Sequence, residues 1–180
     1  MTKRYIGLLR GVNVGGKNRL PMARLREIFV ELGAEEVATY IQSGNVVFTS
    51  SARVAAALPA KVSARLAAEL GLSVPLLLRS SAELQRALDA HPFADRDVPD
   101  KYRHIMFLDR KPSAARAKAL DPDCAAGEEW ALVGKEVHLC FPNGSARTKL
   151  SNVFFDRGLD VVSSTRNVRT VEKLLELCSG

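Results

Sequence analysis

Three stretches of this chain carry side chains that could hold an anion: Arg10–Pro21 (RGVNVGGKNRLP), Ser145–Leu150 (SARTKL) and Ser163–Thr170 (SSTRNVRT). Together they contain seven Lys or Arg and no Asp or Glu. Acid-free turns offer main-chain N–H groups and cations side by side, the combination that cradles phosphate or carboxylate, and Arg adds a planar fork that can bind either group through two parallel hydrogen bonds. Gly15, Gly16 and Lys17 supply the close backbone and the charge in the first stretch. Arg147, Lys149 and Arg166 supply charge in the other two. Gln42, Ser43 and Asn45, at a short turn between two β-rich runs, add neutral hydrogen-bonding groups. The expectation is a binding protein whose three stretches converge on one basic cleft, for a phosphorylated small molecule or a nucleic-acid backbone.

Gly11–Lys17 also has the spacing of a phosphate loop, G-x-x-x-x-G-K, and follows the apolar run Tyr5–Leu9. A nucleotide triphosphatase of that kind places a Ser or Thr on magnesium next; Asn18 stands there instead. Pro21 starts the following helix too late, and a hairpin at Ser43 implies antiparallel pairing, so that enzyme class is set aside. Other catalytic constellations are thin. His91, His104 and His138 lack ligand spacing, and no serine lies in a G-x-S-x-G elbow. Cys124, Cys140 and Cys178 are odd in number and without C-x-x-C spacing, so they read as incidental thiols. Glu27, Glu31, Glu35 and Glu36 read as a solvated helix face. No catalytic residue, metal or cofactor is assigned, and whether the chain is an enzyme stays open. The alternatives to a binding protein are a transferase or hydrolase acting on a phosphorylated metabolite, with Lys17, Arg147 or Arg166 stabilising developing charge, and a protein-interaction module.

The 180 residues are 47% apolar, carry a net charge of +6 and have few aromatics, at 6%. Basicity favours anionic partners, and its distribution says more than its total. The first 30 residues hold seven Lys or Arg against the single acid Glu27, whereas Asp89–Asp100 and Asp121–Glu129 are acid-rich. No stretch approaches the roughly 20 apolar residues of a membrane span, and the N-terminus has too short an apolar run for a signal peptide. The expected location is cytoplasmic, with no membrane contact. Paired aromatics of the kind with which sheets of this type stack RNA bases are not visible.

The elements that must position these stretches repeat in order. Tyr5–Leu9 predicts a strand, and Pro21, Met22, Leu25, Phe29 and Leu32 predict a helix stopped by Gly33. Val37–Gln42 and Asn45–Thr49 predict a hairpin with only Ser43 and Gly44 between the strands. Val54, Leu58, Val62, Leu66 and Leu70 mark a second helix, with Pro59 kinking it or marking its start, and Val74–Arg79 a strand. Ser80 and Glu83 have capping-box spacing for a helix to about Ala90. His91–Asp100 reads as a solvated connector. Then Tyr102–Leu108, Pro112–Leu120, Trp130–Val133, Glu136–Phe141, a helix through Leu150, Val153 and Phe154 ended by Gly158, and Val161–Ser164 repeat the pattern, before Asn167 caps a final helix. The fold class expected is α+β, with two ferredoxin-like (split βαβ) subdomains of antiparallel sheet: residues 1–80, a helix and connector at 81–99, and 100–180 including the C-terminal helix.

RGVNVGGKN with PMARLR, TYIQSGNVVF, VPLLLR, HPF, RTKL and STRNVRTVEKLLEL together resemble a bacterial family called domain of unknown function 1697. The resemblance implies two ferredoxin-like subdomains and no established activity. Its polar signature falls on Arg10, Asn13, Gly15, Gly16, Lys17 and Asn18, on Gln42, Ser43, Gly44 and Asn45, and on Lys149, Leu150, Thr165, Arg166, Asn167, Thr170 and Lys173. The chain departs from the family pattern at Val168 and Arg169, where tryptophan and asparagine are usual, which removes a stacking platform. At Thr148 it departs again, serine being commoner there.

Overall fold

The computed structural model describes residues 1–179. The chain divides into two compact units, one of Met1–Leu84 with the chain end from Leu174, the other Gln85–Lys173. In the first, β1 (Thr2–Leu9), α1 (Met22–Glu31), β2 (Glu35–Tyr40), β3 (Asn45–Ser51), α2 (Ala52–Leu70) and β4 (Leu76–Ser80) form a four-stranded sheet of order β2-β3-β1-β4. The second repeats this after α3 (Ser81–Asp89): β5 (Arg103–Leu108), α4 (Ala114–Ala119), β6 (Glu129–Val133), β7 (Glu136–Cys140), α5 (Asn152–Leu159) and β8 (Ser163–Asn167) give order β6-β7-β5-β8. α6 (Val168–Ser179) follows. All pairings are antiparallel, so each unit is the split βαβ, ferredoxin-like arrangement expected.

Local signals explain the element ends. Gly33 and Gly71 take left-handed backbone after α1 and α2 (φ 92 and 64), the stop that glycine makes cheapest. Pro59 lies inside α2, which starts at Ala52 with the Ser51 hydroxyl accepting from Val54 N–H at 3.3 Å. The Ser80–Glu83 capping box forms: Glu83 Oε2 accepts from Ser80 N–H at 2.8 Å, and Ser80 Oγ accepts from Glu83 N–H at 3.3 Å. Each sheet carries its helices over an apolar core, around Phe29, Phe48, Leu58 and Leu66 in one unit and Met106, Leu139 and Phe155 in the other.

Four expectations are corrected. The hairpin turn is four residues, 41–44, because Ile41 and Gly44 both take positive φ and the strands end at Tyr40 and Asn45. Gly158 lies inside α5 and does not end it: a Cβ there would come within 2.6 Å of Leu120 Cδ2, so glycine permits close packing, and Asp160 (φ 56) ends the helix. Phe155 and Leu159 face the core while Val153 is exposed, because α5 starts at Asn152 after an irregular Leu150. The connector is not wholly solvated. His91 and Phe93 are buried, and Arg96 pairs with Glu129 at 2.7 Å.

Candidate functional site

The first basic stretch leaves the end of β1 and is seated against the hairpin of its own unit. Leu9 N–H donates to Gly44 carbonyl at 2.9 Å, and Arg10 N–H to Pro75 carbonyl at 3.1 Å. Gly44 (φ 73) lies so close that a Cβ would be 2.7 Å from both Leu9 Cβ and Val12 Cγ2. From there the chain runs out and reverses at Gly15 and Gly16, whose positive φ values of 57 and 75 suit a tight turn closed by Lys17 N–H on Val14 carbonyl at 3.0 Å. A Cβ at either glycine would meet nothing within 4 Å, so conformation and not crowding selects glycine there.

Two asparagines hold the loop. Asn13 Oδ1 accepts from Leu20 N–H at 2.9 Å, and Asn13 Nδ2 donates to the carbonyls of Leu20 at 2.9 Å and Gln42 at 2.8 Å. Asn18 Nδ2 donates to Gly11 carbonyl at 2.9 Å, and Asn18 carbonyl accepts from Asn13 N–H at 3.1 Å. Both asparagines have positive φ (55 and 49), which their short amides tolerate by bonding locally. The loop is thus folded on itself and fastened to the hairpin by main-chain and amide hydrogen bonds. Gly15, Gly16, Lys17, Asn18 and Arg19 are exposed, and Arg10 is half-buried.

Loop and hairpin frame a shallow, solvent-open cavity of about 440 Å³ lined by Asn13, Gly16, Arg19, Leu20, Pro21 and Gln42. A second depression of about 460 Å³ lies over α1 and β2 and is lined by Arg26, Glu27 and Glu31 with Ala23, Val30 and Val37. Two carboxylates make it a poor anion site. Glu31 is engaged by the guanidiniums of Arg24 and Arg65, which hold its carboxyl below the usual range, so the acids of α1 form a solvated ion-pair face as expected.

The sequence-derived residues divide between the units. Arg10, Asn13, Gly15, Gly16, Lys17, Asn18, Gln42 and Ser43 are brought together in the first. Asn45 is there too but fully buried, its Nδ2 donating to Tyr40 carbonyl at 3.2 Å across the base of the hairpin, so it builds the turn and does not present itself to a ligand. The remaining candidates belong to the second unit. Arg147 and Lys149 are exposed ahead of α5, whose N-terminus is capped by Ser151 Oγ accepting from Phe154 N–H at 3.3 Å. Thr165 is half-buried. Arg166, expected to grip an anion, is buried at the β8 position opposite Ile105, where Nη1 donates to Ser164 Oγ at 3.0 Å and Thr165 carbonyl at 2.8 Å. Desolvation lowers its pKa to about 10. Asn167 Oδ1 accepts from Thr170 N–H at 2.8 Å and so caps α6. Arg19, Leu20 and Pro21, inside the Arg10–Pro21 stretch though not among its singled-out residues, form cavity wall as well.

The chain belongs to the family described as protein of unknown function (DUF1697), which matches residues 1–138 and therefore the loop and the hairpin. The tail motif at Ser163–Thr170 lies beyond the matched residues. No curated protein matches the chain. Among solved structures it is similar to the conserved bacterial protein SP0830 from Streptococcus pneumoniae, at 26% identity and a TM-score of 0.72 over 99% of both chains. No helix among the described residues is long and apolar enough to cross a membrane.

Proposed function

We propose that this member of a family of unknown function binds a phosphate-bearing anion on the face built by the Arg10–Pro21 loop and the hairpin turn. One observation carries the reading: an open cavity of about 440 Å³ has Arg19, Gln42 and Gly16 in its wall, exposed Lys17 follows Gly16 in the chain, and no acid occurs anywhere in the loop. Successive backbone N–H groups in a left-handed turn form a concavity suited to anions, and Lys and Arg supply the charge. Asn13 and Asn18 contribute by holding the turn in one shape, so that little ordering is left to be done on binding. Phosphate is the chemistry recognised, whether borne by a small molecule or a nucleic-acid backbone.

The test uses inorganic phosphate by calorimetry and a fluorescent single-stranded RNA by anisotropy, each across a salt series, with a Lys17→Ala, Arg19→Ala variant whose fold is checked by circular dichroism. Binding should weaken with salt, more steeply for RNA because each neutralised phosphate releases counterions, and the double variant should lose about tenfold or more. Tight RNA binding with weak phosphate binding identifies the polymer; the reverse identifies a small ligand. Failure of both probes to bind at low salt, or binding untouched by the variant, overturns the proposal.

A further inference from the structure

The anion cavity is not uniformly polar. Leu20 and Pro21 form part of its wall next to Arg19 and Gln42. Two aliphatic side chains also stand exposed on the turns that frame it, Val14 at 62% and Ile41 at 50%. Each adjoins a cavity residue in the chain: Val14 follows Asn13, Ile41 precedes Gln42, and Asn13 Nδ2 donates to Gln42 carbonyl at 2.8 Å.

Single exposed aliphatics are ordinary on protein surfaces. Ile41 is not ordinary, because its φ of 49 puts a β-branched side chain in left-handed backbone, where it crowds the neighbouring main chain. Turn chemistry alone favours Gly, Asn or Asp at such a position, and half-exposure gives the isoleucine little burial to offset the strain. Residues held in strained backbone cluster at active sites, ligand clamps and switch regions, where the strain is part of the mechanism.

We infer that the anion recognised here carries an apolar substituent: a phosphate monoester whose phosphate meets Arg19 and Lys17 while its aliphatic or ring group lies along the exposed ring of Pro21, with Val14 and Ile41 as the apolar rim. The inference rests on the anion-binding reading above and adds the class of ligand. Arg19 and Pro21, both in the cavity wall, offer a charge and an apolar ring to the two ends of such a molecule.

Calorimetry with inorganic phosphate and phenyl phosphate tests it on the full chain. Phenyl phosphate should bind about tenfold more tightly, since burying part of a ring against aliphatic wall adds apolar area that phosphate lacks. Ile41→Asn suits the left-handed backbone and should raise Tm, yet cut the phenyl phosphate advantage by about half or more while leaving inorganic phosphate affinity unchanged. A purely structural Ile41 would alter both anions alike or neither. Equal affinities for the two anions in the parent protein, or an undiminished advantage in Ile41→Asn, overturn the inference and leave the anion site standing. Failure of both anions to bind overturns the anion site as well.

Discussion

The side-chain amide of Asn13 donates to the main-chain carbonyl of Gln42 at 2.8 Å, a bond across 29 positions that joins the basic loop to the hairpin. The same side chain pairs with both main-chain groups of Leu20 at 2.9 Å. Asn13→Ala removes three hydrogen bonds and places a Cβ-bearing residue with no compensating amide at φ 55. With each bond contributing about 1 kcal/mol, the variant should lose about 3 kcal/mol in urea denaturation, and Asn13→Gly, which suits the backbone, about 2 kcal/mol. Anion binding should fall in both. A loss below about 1 kcal/mol for Asn13→Ala would show that the loop is held by other means.

Gly44 is the seat on which that loop starts. An alanine there would carry its Cβ 2.7 Å from Leu9 Cβ, an atom fixed to the backbone of a central strand, and would sit at φ 73. Crowding and strain together should cost about 3 kcal/mol, read as a lowered Tm and urea midpoint. Gly15→Ala and Gly16→Ala meet no neighbour within 4 Å, so each should cost only about 1 kcal/mol. If Gly44→Ala proved as mild as these two, the close approach between hairpin and strand would be wrong.

The reciprocal bonds between Ser80 and Glu83 make a smaller, cleaner test. Ser80→Ala frees the Glu83 N–H that its hydroxyl satisfies at 3.3 Å, and loss of such a cap costs about 1 kcal/mol. Ser80→Asp should retain most of the stability, since a carboxylate also accepts from the first turn. Equal losses in the two variants would refute the capping assignment.

Which parts of this chain can be read from its residues follows from how local the causes are. Ser80–Glu83, Gly33, Gly71 and Pro21 act within one helical turn, and those ends are visible in the sequence. The positive-φ turn at Gly15 and Gly16 is visible for the same reason. Arg19, Leu20 and Pro21 become cavity wall only because Asn13 bonds to Leu20 and to Gln42 far along the chain, which no local pattern discloses. Lys17 and Arg166 look alike as cations in acid-free runs, yet one is exposed on a loop and the other buried on β8 opposite Ile105. A strand flanked by polar residues does not announce that its arginine faces inward. His91 and Phe93 likewise sit among acids and prolines, and their burial depends on contacts with the sheet of their unit.

The ring of His91 lies 4.8 Å from that of His138, edge to face, with both residues buried on the second unit. His91 Nδ1 accepts from Phe93 N–H at 3.3 Å, whereas neither nitrogen of His138 has a hydrogen-bond partner among the described residues. Charging either ring in this setting is costly. Burial lowers the pKa of both to about 4, with the Arg103 charge adding to the effect on His91 and His91 itself adding to that on His138. His104 is lowered as well, mainly by burial. In the unfolded chain these histidines titrate near 6.5, so below that pH the unfolded state binds protons that the folded state refuses. Stability should therefore fall as pH drops through 6.5 toward 4, with His91 and His138 each contributing about 2 kcal/mol of the loss at pH 5. His138→Phe keeps an aromatic ring against His91 and removes one titrating group together with its repulsion of the other. Its chemical-denaturation midpoint should match or exceed the parent protein at pH 7.5 and exceed it clearly at pH 5. Parallel pH profiles for parent and variant would mean that the pair is open to water and its protons cost nothing.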